Sequence, residues 1–338
     1  MAPPGDPPPV TKYFWGDTPE PDEYYAAQGL RHAESYFQSP HGRLFTHAFH
    51  PLSGDVMGAV FMTHGYGSDS SWLFQTAAIS YARWGYAVFC ADLLGHGRSD
   101  GLRGYLGDME AAAAASLAFF LSRGVRRAPG VPVRRVHGRR RHAAHVPPLP
   151  AVRALDGARP LGAAPRHPDG MYPSRVRLFL YGLLFGLADT WAVLPDKRMV
   201  GKAIKDPDKL RLIASNPRLY RGAPRVGTMR ELARVTEMLR GSLGEVTAPF
   251  LAVHGTDDGV TSPEGSRMLY ERARSEDKEL ILYEGMYHSL IQGEPDENRD
   301  RVLADMRRWI DERVRRYGPA AAAAAAGAGD GGKEAPPA

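Results

Sequence analysis

The chain has 338 residues, enough for one large domain with an insertion. Its single cysteine, Cys90, excludes an internal disulfide and suits a reducing compartment. The net charge of +5 is concentrated in residues 133–168, where eight arginines face one acid, Asp156; without that stretch the remainder stands at −2. A nucleic-acid partner is therefore not expected.

Residues 1–9 are proline-rich and lack the apolar stretch of a signal peptide, so the expectation is a cytoplasmic protein. Residues 13–16 and 19–25 read as an ordered wrap, completing an N-terminal lead over 1–28. The first half of a core, 29–132, follows. Within it Gly42 to Phe49 alternates like an early antiparallel strand, and Gly58–Thr63 and Tyr86–Ala91 are short apolar runs suited to strands covered on both faces. Between those runs 72–84 predicts a helix, which makes a β-α-β unit, and 109–123 predicts another. Residues 169–245 read as a helical lid, with a strongly apolar run at 176–194 and a helical stretch with charged faces at 195–239. A membrane span wants about 20 apolar residues; Arg177, Asp189 and Pro195 argue against one here. A lid helix that gathers an apolar substrate and touches a membrane surface from outside fits better, and a lid helix packed only on its own domain fits as well. The second half of the core, 246–317, carries strands at 249–254 and 279–283 and a closing amphipathic helix at 296–317, with Val302, Met306, Ile310 and Val314 on one stripe. The Ala/Gly-rich tail, 318–338, is low-complexity and expected to be disordered.

Three motifs carry chemistry. His64-Gly65-Tyr66-Gly67 follows an apolar strand and has the form of a loop whose backbone N–H, assigned to Tyr66, stabilises an oxyanion. A glycine-rich turn with no ligand is an equal reading of that tetrapeptide alone. Asp258 closes His254-Gly255-Thr256-Asp257-Asp258 after the next-to-last strand, where an acid can orient a histidine; Asp257 is the competing choice. His288 follows the last strand, where a general base would stand. Acid then histidine, each after its own strand, is the order used by the α/β-hydrolase fold: a mostly parallel central sheet with a helical lid.

That fold also needs a strand running into G-x-S-x-G, the sharp turn that presents the nucleophilic serine. Residues 133–168 occupy its place and contain no serine. One permitted set of codons for Val133 to His142, read one base later, gives F-G-E-S-M-G-G-A-A; Ala143 to Val146 shifts to T-L-L-M-Y, and Ala154 to Ala158 permits W-T-G. The segment therefore reads as out of frame, with normal reading restored near Asp169. The nucleophile's codon would straddle Val136 and His137, and the central strands around the elbow are disrupted in this sequence. Ser68, Ser70, Ser71, Ser99 and Ser289 are weak substitutes, since none sits on a glycine-flanked strand–turn–helix elbow. Cys90 reads as a buried core residue rather than a nucleophile.

The stretches HGYGSDSSW, ADLLGHGRSDG, YGLLFGLADTWAVLPDKRMVGKAIKDPDKL, NPRLYRGAPRVGTMREL, VHGTDDGVT and YEGMYHSLIQGEPDEN resemble the plant monoacylglycerol-lipase-like hydrolases, a serine aminopeptidase S33-type group that includes caffeoylshikimate esterases. The resemblance runs from about Phe14 to Tyr317, broken only at 133–168. It implies Asp258 as acid, His288 as base and Tyr66 as an oxyanion donor. It also implies small-molecule ester substrates (monoacylglycerol, lysophospholipid or caffeoyl shikimate) and no metal or cofactor. The alternative is a catalytically dead hydrolase-like protein whose Arg-rich segment binds an acidic partner.

Overall fold

A computed structural model describes residues 21–71, 73–123, 189–191 and 200–318. The segment 133–168 with its expected elbow, nearly all of the apolar run 176–194, the lead before Pro21 and the tail from 319 lie outside the described residues. No described helix is long and apolar enough to cross a membrane.

Among the described residues six strands form two sheets. β1 (Leu30–Ser39), β2 (Gly42–Pro51), β3 (Gly58–Thr63) and β4 (Tyr86–Ala91) lie in the order β1-β2-β4-β3. β1 and β4 both run antiparallel to β2, while β3 pairs parallel with β4 from Gly58↔Tyr86 to Thr63↔Ala91. β5 (Phe250–Gly255) and β6 (Lys278–Tyr283) form a parallel pair. The apolar runs foresee β3 and β4 to the residue, and β4 is buried at every position, as a strand covered on both faces must be. β1 was not foreseen: LRHAESYFQS is largely exposed, so no alternation marks it, and its ten-residue register with β2 makes it a strand.

The helices follow local chemistry. In α2 (Phe74–Arg83) Phe74, Ala77, Ala78, Tyr81 and Ala82 make one buried stripe. α3 (Met109–Ser122) starts where the Asp108 carboxylate accepts from Ala111 N at 2.8 Å. The stretch expected to be helical over 195–239 is divided instead into α4 (Val200–Ala203), α5 (Pro207–Ser215) and α6 (Val226–Ser242). Asn216 breaks it with extended ψ 115°, as the residue before Pro217 must, and Pro224 lies just before the next start. α7 (Pro263–Arg272), capped by Ser262 with proline at its first turn, was not foreseen. α8 (Asp296–Tyr317) buries Val302, Met306 and Ile310 as expected, and adds Leu303, Trp309 and Arg313.

One apolar cluster joins the two sheets: Val60, Met62, Val88 and Cys90 share it with Leu251 and Tyr283, closed by α2 and α8. Among the described residues β3 pairs only with β4 and β5 only with β6.

Candidate active site

The loops after β5 and β6 are laced together, and that lacing brings acid and histidine into contact. Thr256 N donates to Tyr283 O at 2.9 Å, Asp257 N to Met286 O at 3.0 Å, and Gly285 N to Thr256 Oγ1 at 2.8 Å. The approach requires glycine at 255: a Cβ there would stand 2.2 Å from Met286 O and 2.6 Å from Tyr287 O. Across this junction His288 Nδ1 lies 2.7 Å from Asp258 Oδ2. The Asp258 side chain is 2% exposed and that of His288 is 19% exposed. Asp257, the competing acid, is exposed, and its side chain accepts from Thr256 Oγ1 in its own turn.

Asp258 is held from several sides. Its Oδ1 accepts from Val260 N at 2.7 Å and Thr261 N at 2.8 Å, and its Oδ2 accepts from Thr261 Oγ1 at 2.7 Å. His254 Nε2 stands 3.0 Å from Oδ2, with its other nitrogen 2.8 Å from Ser266 Oγ. Burial raises the carboxyl's pKa, but the hydrogen bonds from His254 and His288, the charge of His288 and the Thr261 N–H outweigh it, and the acid lies well below the usual carboxylate range. An ionised Asp258 fixes the Nδ1–H tautomer of His288 and leaves Nε2 to exchange a proton. His254, Thr261 and Ser266 were missed in the sequence; the available signal was His254 at the end of β5, four residues before Asp258.

Tyr66 lies just past β3. Its hydroxyl donates to Gly104 O at 3.0 Å, and its ring packs edge-on to His96. The loop is fixed by His64, whose Nε2 accepts from Leu93 N at 2.9 Å, which puts the ring proton on Nδ1, 2.9 Å from Gly65 O. Asp92 ties this loop to the one after β4: its Oδ1 accepts from Ser70 N and Oγ, and its Oδ2 from Arg98 N. From the lid side Tyr220 N donates to Gly67 O at 2.8 Å, and Asn216 Nδ2 donates to Asp69 Oδ1 at 2.9 Å. Asp69 has its carboxyl raised by burial and then by the charge of Asp92.

Three of the five alternative nucleophiles have their hydroxyls engaged elsewhere. Ser70 Oγ donates to Asp92, Ser71 Oγ to Asp69, and Ser99 Oγ to Asp92 O while accepting from Phe45 N. Ser68 Oγ makes a long contact with Asp69 O at 3.5 Å while its N donates to Gly65 O, and Ser289 N donates to Ala203 O. Among the described residues no serine hydroxyl bonds His288. Cys90 is fully buried and burial pushes its thiol up, which suppresses the thiolate. The Val136/His137 position of the expected serine lies outside the described residues.

The family model described as "Serine aminopeptidase, S33" matches residues 54–134 and 160–296. The match breaks over 135–159, inside the serine-free stretch. The chain is 54% identical to the caffeoylshikimate esterase of Arabidopsis thaliana, covering 91% of this chain and 94% of that protein. It is 29% identical to the monoacylglycerol lipase of Mycolicibacterium smegmatis, covering 76% and 89%. In fold it is similar to a soluble variant of monoglyceride lipase from Saccharomyces cerevisiae, solved with a substrate analogue, at TM-score 0.59 and 19% identity over 83% of this chain and 96% of that one. Nothing in these likenesses supports the non-catalytic, acid-binding reading. The chain belongs to the serine aminopeptidase S33 family, as an ester hydrolase with the α/β-hydrolase fold.

Proposed function

We propose that this chain's reaction is hydrolysis of a small-molecule carboxylic ester through a serine acyl-enzyme, with Asp258 and His288 as acid and base and the Tyr66 N–H as one oxyanion donor. The Asp258–His288 contact at 2.7 Å carries the reading. Serine Oγ adds to the ester carbonyl carbon while its proton passes to His288 Nε2. The tetrahedral oxyanion collapses, and the alcohol leaves with that proton; water then repeats the cycle on the acyl-enzyme. The serine belongs to the frame that residues 133–168 have lost, a view supported by the break in the family match over 135–159. The names of its relatives make a caffeoyl shikimate ester or a monoacylglycerol the substrate to try first. The apolar run 176–194 is the part of the chain suited to gathering an acyl or aromatic group, with peripheral membrane contact through the lid and a cytoplasmic location as parts of the same proposal. A fluorophosphonate probe tests it. The chain as written should not be labelled and should show negligible esterase turnover, while the chain with residues 133–168 restored to the shifted frame should be labelled once and turn over esters. His288→Ala in the restored chain should abolish turnover. Stoichiometric labelling of the chain as written would sink the proposal.

A further inference from the structure

Far from the acid–histidine pair in the sequence, the β1–β2 hairpin gathers three groups of a different kind. His32 and Glu34 are two residues apart on β1 and so share one face; Glu34 is the register partner of His47 on β2, which puts His47 on the same face. The donor atoms of the three lie within 4.8 Å of one another. His32 Nε2 stands 2.9 Å from His47 Nδ1, and His47 Nδ1 stands 3.7 Å from Glu34 Oε1. Tetrahedral zinc with bonds of about 2.0–2.1 Å wants donors roughly 3.3–3.4 Å apart, between these two values. We propose that His32, Glu34 and His47 form a binding site for a divalent transition metal, zinc by ligand type, with solvent at the fourth position.

The surroundings support it on separate grounds. Tyr25 lies against the His32 ring at 4.1 Å and fixes its orientation. His47 is buried, and its Nδ1, the atom that would ligate, meets His32 Nε2 at 2.9 Å, a contact that a bound metal would replace. Glu34 serves two partners with two oxygens: Arg98 takes Oε2 at 2.8 Å, while Oε1 faces His47. The Arg98 charge weakens the site relative to a closed structural zinc centre, which makes the metal exchangeable.

The full-length chain, stripped with a chelator, would be titrated with zinc against a chromogenic competitor, with its thermal midpoint followed in parallel. One equivalent should bind and raise the midpoint. Glu34→Gln, at an exposed position, and His32→Gln, at a half-buried one, should keep the parent's far-UV spectrum without metal and lower the affinity roughly tenfold or more. His288→Ala should bind as the parent does. Cobalt in place of zinc should give the intense visible bands of a tetrahedral ion. Failure to bind one equivalent overturns the proposal, as does equal affinity in folded Glu34→Gln and His32→Gln, loss of the site in His288→Ala, or an octahedral cobalt spectrum.

Discussion

At Gly255 a missing side chain decides whether the loops after β5 and β6 can touch. An alanine methyl there would sit 2.2 Å from Met286 O, against backbone that cannot swing aside. Gly255→Ala in the frame-restored chain should therefore part the loops, lengthen the Asp258–His288 contact and lower kcat by about 100-fold, since misplacement of about 1 Å at a reacting group costs that much. The measurement is kcat on a soluble ester with folding checked by circular dichroism. The Asp258 carboxyl makes a second prediction. Its folded pKa lies well below the ordinary value of about 3.9. With the folded value the lower, the stabilisation is fully present above that ordinary pH and is lost as pH falls below it toward the folded value. Urea midpoints measured from pH 6 down to pH 3 should fall more steeply for the parent than for Asp258→Asn, and parallel curves would refute the assignment of that shift.

Among the secondary elements, α8 closes the core from outside both sheets. Ile310 is fully buried there, beside Met306 and Trp309. Ile310→Ala should cost about 2–5 kcal/mol, read as a lowered denaturation midpoint, whereas Ala at exposed Arg315 should change it by less than about 0.5 kcal/mol. What the sequence made legible divides along the same physical line. β3, β4 and α8 were legible because burial on one or both faces imposes a periodic or continuous apolar pattern. β1 was not, since its side chains are largely exposed and only its backbone pairing with β2 makes it a strand. The break of the lid segment at Asn216-Pro217 was written in the sequence as a proline rule, which the charged helical faces on either side obscured. Asp258 and His288, which the structure brings into contact, could be named from motif and strand order. His254 and Thr261 could not, because they act through hydrogen bonds that exist only once the turn has closed on Asp258.

For the whole molecule the consequence lies at the edges of β3 and β5. β3 and β5 each carry a strand partner on one side only among the described residues, yet Val60, Met62 and Leu251 belong to one apolar cluster. A parallel sheet covered on both faces normally continues between such edges. Read in the shifted frame, the segment gives F-G-E-S-M-G-G-A-A and then T-L-L-M-Y, material of the right kind. In the frame as written the same segment carries Pro147, Pro148 and Pro150, which could donate no ladder hydrogen bond in an interior strand, and the arginines at 139–141, whose unpaired burial would be costly. A central strand buries about four or five large apolar side chains at about 1.5–3 kcal/mol each. That sum is comparable to the whole net stability of a domain, about 5–15 kcal/mol. The chain as written should therefore unfold in a broad, weakly cooperative transition and aggregate on heating. The frame-restored chain should unfold in one sharp transition at a higher midpoint. Scanning calorimetry on both decides it: matching sharp transitions would mean that residues 133–168 stabilise the domain as well as the shifted reading does, and the frame argument would fall.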